Sequence, residues 1–320
     1  MNLRHLTFRL LEVYVTVVKT GSVTAAAQQL HLTQPTVSQQ LKRLSETVGE
    51  PLIEHHSGRL VLTDVGEALY QTAQDVTGRF MDFQDYLSEL RGGHRGRFSI
   101  ALVNTAQYVL PRVLGPYSQS FPEVDMTVHI GNRQQLLDRF ERQLDDIYVF
   151  SHPPSSEQAL AARFLRNPLV MLAPEQHPLA GGEQVKIEDL LQERLLQREP
   201  GSATRMLFES WLQGKGVQWS NCLQMASNEA IRVGVASGMG LAVISRHALP
   251  ASHPGITILP IDGFPVESHW HFIVRRDRRL PHAARGFLEY AAAHLESCLP
   301  AEYLCNEVES LFAAGAADTQ

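Results

Sequence analysis

An α/β fold preceded by a small winged helical head is what this sequence predicts, on three observations. Near the N-terminus, short apolar-striped stretches are joined by tight turns, and one of them carries a polar face free of acids. A long stretch with heptad spacing follows. From Phe98 onward, strand-like apolar runs alternate with helix-like ones.

The bulk figures bound the reading. The 320 residues suffice for two or three domains, and 44% hydrophobic with 19% charged residues is ordinary for a globular chain. The net charge of −6 argues against a polyanion binder by bulk charge. The charge is uneven, however. Residues 1–62 hold six Lys/Arg against four acids, so that segment is positive and points to a local anionic partner. Three widely spaced cysteines, Cys222, Cys298 and Cys305, suit neither a disulfide framework nor a zinc site. Cys222 reads as inert core in an apolar strand. The N-terminal apolar run is amphipathic rather than signal-like, and no run is long enough to span a bilayer. A cytoplasmic protein without membrane contact is expected.

Leu6, Leu10, Val13 and Val17 recur at helical spacing, and Gly21 closes that helix. Ser22 caps a second helix bearing Val23, Ala26, Ala27 and Leu30, and His31-Leu32 make a tight connection. Thr33 caps a third, with Pro35 in its first turn, where a missing N–H costs little. Val37, Leu41, Leu44 and Val48 form its buried stripe. Its other face is Gln34, Thr36, Ser38, Gln39, Lys42 and Arg43, with no acid before Glu46. Solvated faces normally mix Glu and Lys, whereas amides and hydroxyls read base edges and cations neutralise phosphate. This helix-turn-helix therefore predicts contact with double-stranded DNA. Leu52-Ile53 and Leu60-Val61-Leu62 read as wing strands around Ser57-Gly58, with Arg59 beside the tip for a minor groove.

Thr63 caps a long helix with Asp64 and Glu67 in its first turn. Leu69, Ala73, Val76, Phe80, Phe83, Leu87 and Leu90 follow at spacings of 4, 3, 4, 3, 4 and 3, a seam that predicts pairing with a second helix. The break at residues 91–96 leaves it as a linker. We therefore read 1–62 as head, 63–92 as dimerising linker helix, 93–300 as the α/β region and 301–320 as a tail. In the α/β region, "RFSIALV", "DMTVHI", "DIYVF", "PLVMLA", "NCLQMA", "GLAVIS", "GITILP" and "HWHFIV" read as strands of parallel sheets. Helices are expected at 108–120, 133–143, 203–213, 228–236 and 281–297.

The run "VTAAAQQLHLTQPTVSQQLKRLSETVGEPLIEHHSGRLVLTDVGEAL" resembles the winged-helix signature of LysR-type transcriptional regulators throughout, and the likeness extends over nearly the whole chain. It implies a homodimer or homotetramer on an interrupted palindrome, with RNA polymerase as a further partner. It also implies a C-terminal domain of the type-2 periplasmic-binding-protein fold that senses a small molecule. Lobe I would be 93–163 with 265–300, and lobe II 164–264. Gln34, Pro35, Thr36 and Ser38 would face the major groove, Arg43 a phosphate, and Arg59 would be the wing contact. The chain departs from the family pattern at His55, where Arg is frequent. "NTAQYVLPRVL", "IGNRQQLLDRF", "NPLVMLAPEQHPLA", "REPGSATR" and "SNEAIRVGVASGMGLAVISRHAL" are further similar to carbon-fixation regulators of the CbbR type, which respond to phosphorylated or nucleotide metabolites. Gln107 stands where that branch often has Lys.

Three segments place polar residues after a strand and at a helix start: Asn104-Thr105, Ser202-Ala203-Thr204-Arg205 and Ser227-Asn228-Glu229. Helix N-termini offer free N–H groups to carboxylates or phosphates, and crevices at strand ends hold ligands. Plain capping by Ser202 and Ser227 is the alternative. Arg133 and Arg198 are candidate charge partners. The expected effector carries phosphate or carboxylate, and no cofactor is called for. Regulation of another pathway by an uncharged or aromatic effector stays open, as does a binding protein without DNA contact. No nucleophile elbow, Walker loop or metal-ligand spacing occurs, and His269 and His271 lack a third ligand, so an enzyme is not expected.

Overall fold

The computed structural model describes residues 5–56, 59–90, 95–182 and 184–313. The chain divides into two units, residues 1–94 and 95–320. The first holds α1 (Phe8–Thr20), α2 (Val23–Gln29), α3 (Gln34–Val48), β1 (Ile53–His56), β2 (Arg59–Leu62) and α4 (Asp64–Leu90). Thr7, Ser22 and Thr33 open the first three helices, each side chain accepting from a backbone N–H three residues on. Gly21 and Gly49 close α1 and α3 in the left-handed region, at φ 65° and 91°.

Val13, Val17, Ala26, Ala27 and Val37 form one buried cluster, where the alanines let the helices approach closely. Tyr14, Leu44, Leu52, Tyr70 and Ala73 form a second. The Tyr14 hydroxyl donates to the Gly66 carbonyl at 2.8 Å, and burial raises its pKa, so it stays neutral. A Cβ at position 66 would lie 2.0 Å from the Leu52 carbonyl oxygen, so this close approach of α4 to the wing requires glycine. Thr63 ties the same corner, accepting from Gly66 N–H at 3.0 Å and donating to the Pro51 carbonyl at 2.7 Å.

The seam on α4 divides in two, which corrects the sequence reading. Ala73 is fully buried, and Leu69 and Val76 pack against the head's own core. Phe80 and Phe83 are 57% and 55% exposed, and the Phe80 ring meets Phe8 edge-on at 5.2 Å. The side chain of Leu90 lies outside the described residues. So the first half of the repeat serves the head, and only the second half stands open to a partner helix.

The second unit carries two five-stranded sheets. The first, in the order β4-β3-β5-β12-β6, comprises β3 (Gly96–Val103), β4 (Val124–Gly131), β5 (Ile147–Phe150), β6 (Ala159–Arg166) and β12 (His269–Arg275). The second, in the order β11-β7-β10-β8-β9, comprises β7 (Leu169–Pro174), β8 (Leu195–Gln197), β9 (Cys222–Gln224), β10 (Leu241–Ser245) and β11 (Ile256–Leu259). The helices are α5 (Pro111–Ser120), α6 (Arg133–Glu141), α7 (Ala203–Lys215), α8 (Asn228–Ala236), α9 (His282–Cys298) and the short α10 (Ser310–Ala313).

The sheets are mixed rather than parallel. β3 runs parallel to β4 and β5, but β12 pairs antiparallel with β5 and β6. Likewise β10 is parallel to β8 and antiparallel to β7. The reversed strands adjoin the crossings between lobes, where the chain needs no crossover helix to enter a sheet. The sequence reading missed β6 and the three-residue β8. β6 alternates weakly, its apolar positions interrupted by arginines and alanines.

Three boundaries move. β6 keeps lobe I running to Arg166, beyond 163, so the outward crossing falls at Asn167-Pro168. Val266 still bridges Leu169 in lobe II, so the return comes after 265. The segment after Pro300 is part of lobe I rather than a tail: Leu304 bridges Leu165, and Val308 and Leu311 are buried in its core. Residues 314–320 lie outside the described residues. The helix expected at 108–120 breaks into a 3-10 turn, Ala106–Tyr108, and α5, which Pro111 opens because it has no N–H to lose. Cys222 is exposed on the edge strand β9, not core.

Candidate functional site

On α3, Val37 and Leu44 are fully buried, which turns the opposite face outward. Gln34, Pro35, Gln39, Lys42 and Arg43 are exposed there, and Thr36 and Ser38 half-buried. The Gln34 amide donates to the Ser38 hydroxyl at 3.1 Å, and the Thr33 and Thr36 hydroxyls lie 2.8 Å apart. Apart from the Thr33 cap, these side chains bond one another across the helix surface, so base edges or phosphates can replace the Gln34–Ser38 bond at small cost. Lys42 meets Glu46 only at 4.0 Å. Arg59 opens β2 opposite His56, and its side chain, like Ser57, Gly58 and the side chain of His55, lies outside the described residues.

In the second unit, the predicted ligand residues gather where the lobes meet. The Arg198 side chain is only 2% exposed. Its Nη1 donates to Asn228 Oδ1 at 2.7 Å, and its Nε and Nη2 donate to the Glu199 carboxylate at 2.8 and 3.0 Å. With its amide turned to satisfy both neighbours, Asn104 accepts from Arg198 at 3.1 Å and donates to the Gly131 carbonyl at 3.2 Å. Gln134 N–H donates to the Gly201 carbonyl at 3.3 Å, so the start of α6 meets the loop before α7. Gly201 turns that loop at φ 85°. Tyr108 donates to the Glu229 carboxylate, a third link between lobes. That bond is the main reason the Glu229 pKa falls.

Around these links sit buried polar groups with spare capacity. Thr105, Ser202 and Thr204 are each 5% exposed. Ser202 holds the N-cap position of α7 without making the side-chain capping bond, so plain capping does not account for it. Ser227 does cap α8, accepting from Ala230 N–H at 3.2 Å. Thr105 makes no capping bond either. Arg133, on the first turn of α6, buries its Nε without a partner, and burial lowers its pKa. A buried guanidinium N–H left unsatisfied is unfavourable by a few kcal/mol, on the order of 1–3. Arg198 is already matched by Glu199, whereas Arg133 makes no ion pair among the described residues. Arg205 is engaged outward, with Glu209 at 2.8 Å and the Arg198 carbonyl at 3.2 Å.

The structure thus brings Asn104, Arg198 and Asn228 into direct contact, with Thr105, Ser202 and Thr204 buried on the same strand-to-helix turns. It pairs Arg205 with Glu209 and Glu229 with Tyr108. Sequence reasoning missed Glu199, Tyr108 and Gln134. The first was legible as a carboxylate adjoining Arg198, while the others depend on which lobe faces which. Among the described residues, no cluster of three or more His, Cys, Asp or Glu is placed to hold a metal, and no helix is long and apolar enough to cross a membrane.

Comparison with known proteins identifies the family of both units. Residues 8–67 match the family described as bacterial regulatory helix-turn-helix protein, lysR family, and residues 91–296 match the LysR substrate binding domain. The chain is 36% identical to the HTH-type transcriptional activator CmpR of Synechocystis sp., over 92% of this chain and 98% of that protein. It is 34% identical to a RuBisCO operon transcriptional regulator of Acidithiobacillus ferrooxidans, over 92% and 96%. Among solved structures, the regulatory domain of CcmR from Synechocystis PCC6803, in complex with 2-PG, aligns with a TM-score of 0.61 at 34% identity, covering 63% of this chain and 98% of that one. A full-length OxyR variant of Pseudomonas aeruginosa shares the fold over 95% of this chain and 99% of its own, with a TM-score of 0.73 at 21% identity. A helix-turn-helix head matched over residues 8–67 and a two-lobed ligand domain matched over residues 91–296 make this chain a member of the LysR family of DNA-binding transcriptional regulators, not an enzyme.

Proposed function

We propose that this regulator senses a small phosphate- or carboxylate-bearing metabolite between its lobes and uses it to control genes of carbon fixation. The observation that carries the reading is the polar cleft itself: Arg133 with an unpartnered buried Nε, and hydroxyls at Ser202 and Thr105 free of capping duty. The starts of α7 and α8 add backbone N–H groups at the positive ends of two helix dipoles. An anion satisfies several such donors at once, whereas an uncharged ligand leaves them underused. The likeness to CcmR, solved with 2-phosphoglycolate, supports the anionic class, and the RuBisCO operon regulators among the relatives support the pathway.

On the DNA side, α3 lies in the major groove with Gln34, Thr36, Ser38 and Gln39 toward base edges and Pro35 at its start. Lys42 and Arg43 meet phosphates, and Arg59 serves the wing. Two chains pair through the exposed Phe80–Phe83 half of α4 to engage two half-sites, in a homodimer or homotetramer. A ligand that prefers one setting of the lobes shifts the assembly by its differential affinity for the two settings. The test is calorimetric titration of the full chain with 2-phosphoglycolate and with glycolate. Binding of the phosphorylated acid, weakened about tenfold or more by Arg133→Gln, supports the reading. Tighter binding of the phosphorylated acid than of glycolate points to the phosphate, and equal binding to the shared carboxylate; binding of neither acid, or no effect of the substitution, refutes the reading.

A further inference from the structure

A second pair of clefts lies between the lobes, away from the residues just described. They enclose about 190 and 380 Å3 and share Arg246 and Tyr303 on their walls. The smaller is flanked by Arg112 on α5 of lobe I and Arg246, which follows β10 in lobe II. The larger is mostly apolar, walled by Val170, Ile258, Ile261 and Phe264, with Arg166, Arg246 and one acid, Glu267, at its edge. Asn104, Arg198, Ser202, Thr204 and Asn228 line neither. Part of the wall, residues 299–303, also lies beyond the family match, which ends at 296.

The charges here are unspent. Among the described residues, neither Arg112 nor Arg246 makes an ion pair. Arg166 is occupied, donating to the Glu302 carbonyl and lying over the Tyr303 ring at 5.9 Å. The Glu302 carboxylate is on the wall of the smaller cleft but exposed. The positive field reaches His247, whose ring is held against Tyr303 at 4.7 Å and bonded to the Arg166 carbonyl at 2.9 Å. Its pKa is lowered, mainly by burial, with Arg246 and Arg112 adding to the effect and the Arg166 carbonyl and Glu302 opposing it.

The geometry points to a second ligand site at the hinge, one that takes an organic anion with a flat apolar body. Its anionic head sits between Arg112 and Arg246, and its body fills the adjoining apolar cleft. A small inorganic anion would leave that wall unused, and an uncharged ring would leave two cations unpaired. A mostly apolar pocket with a few convergent polar groups is the usual design of a small-molecule site. Because the two arginines come from opposite lobes, the occupant fixes the angle between them. It also touches the effector cleft indirectly: Tyr108 lines the smaller hinge cleft, bonds Glu229 across the lobes, and follows Thr105 by three residues.

The experiment is calorimetric titration of the full chain with phenyl phosphate, using inorganic phosphate and benzyl alcohol as half-ligands. The site predicts saturable binding that persists when 2-phosphoglycolate is in excess, and binding at least about tenfold weaker for either half-ligand. Arg112→Gln and Arg246→Gln should each weaken phenyl phosphate by about tenfold, while any 2-phosphoglycolate affinity stays within about twofold. Both positions reach solvent, and an unchanged melting temperature confirms that each variant is folded. Absence of phenyl phosphate binding, displacement by 2-phosphoglycolate one for one, or full affinity in both variants overturns the proposal. A failure of 2-phosphoglycolate alone to bind bears on the effector cleft and leaves the arginine substitutions decisive here.

Discussion

In the head, the residues assigned to DNA on α3 stand on the outside of one helix: Gln34, Gln39, Lys42 and Arg43 are exposed, with Gln34 bonded to Ser38 and Lys42 only 4.0 Å from Glu46 on the same helix. In the two-lobed unit, five of the residues assigned to a small ligand, Thr105, Arg198, Ser202, Thr204 and Asn228, are buried, they come from both lobes, and Arg198 already holds Asn228: the two are 3% and 2% exposed. The first surface costs the fold little when no DNA is bound, so its side chains can be chosen for the operator alone. The second already pairs Arg198 with Glu199 and Asn228 without ligand, so those residues serve folding and sensing together, while the Arg133 Nε is left without a partner. The two regions should therefore respond differently to substitution.

The largest effect belongs to the buried cleft. Arg198→Met leaves Glu199 and Asn228 without their donor in a poorly hydrated place, and should destabilise the second unit by about 3–5 kcal/mol. Denaturant unfolding of the full chain measures it, and a loss below about 1 kcal/mol would mean that the cleft is wetter than the contacts show. Next is the head's interior. Gly66→Ala forces a Cβ against the Leu52 carbonyl and should destabilise the head by about 1–3 kcal/mol or more. That change should reduce operator binding only through the folded fraction, which thermal melts and gel shifts on the same samples separate.

Gln34→Ala and Ser38→Ala test the exposed face. Each should reduce discrimination between operator and altered operator by about 1–3 kcal/mol, with a melting temperature close to wild type. A large drop in stability with selectivity intact would erase the contrast between the regions. The smallest effect is Arg43→Ala, expected to weaken binding to all sequences alike and lower the salt slope of log K by about 0.9. An unchanged slope would remove Arg43 from the phosphate contacts.

The same contrast governs what the sequence could tell. The head was legible nearly residue by residue, because its caps and stripes are local: Ser22, Thr33 and Pro35 sit where short-range chemistry puts them. The split of the α4 seam was not legible, since Ala73 and Phe83 obey one periodicity and differ only in what the rest of the head covers. In the second unit the helix starts were visible, but the pairing of Asn104 with Arg198 and of Tyr108 with Glu229 joins segments about a hundred residues apart. No local pattern carries that information. The burial of Val308 and Leu311 against lobe I was hidden for the same reason.

The account turns most directly on Thr204, which is 5% exposed on the first turn of α7. Thr204→Val keeps the shape and removes one donor. The measurement is operator affinity of the full chain with and without saturating 2-phosphoglycolate, for wild type and for this variant. The account predicts equal affinity of the two proteins without ligand and a ligand response in the variant reduced by about 1 kcal/mol or more. Loss of operator binding without ligand would make Thr204 structural, and an undiminished ligand response would place the effector somewhere other than this cleft.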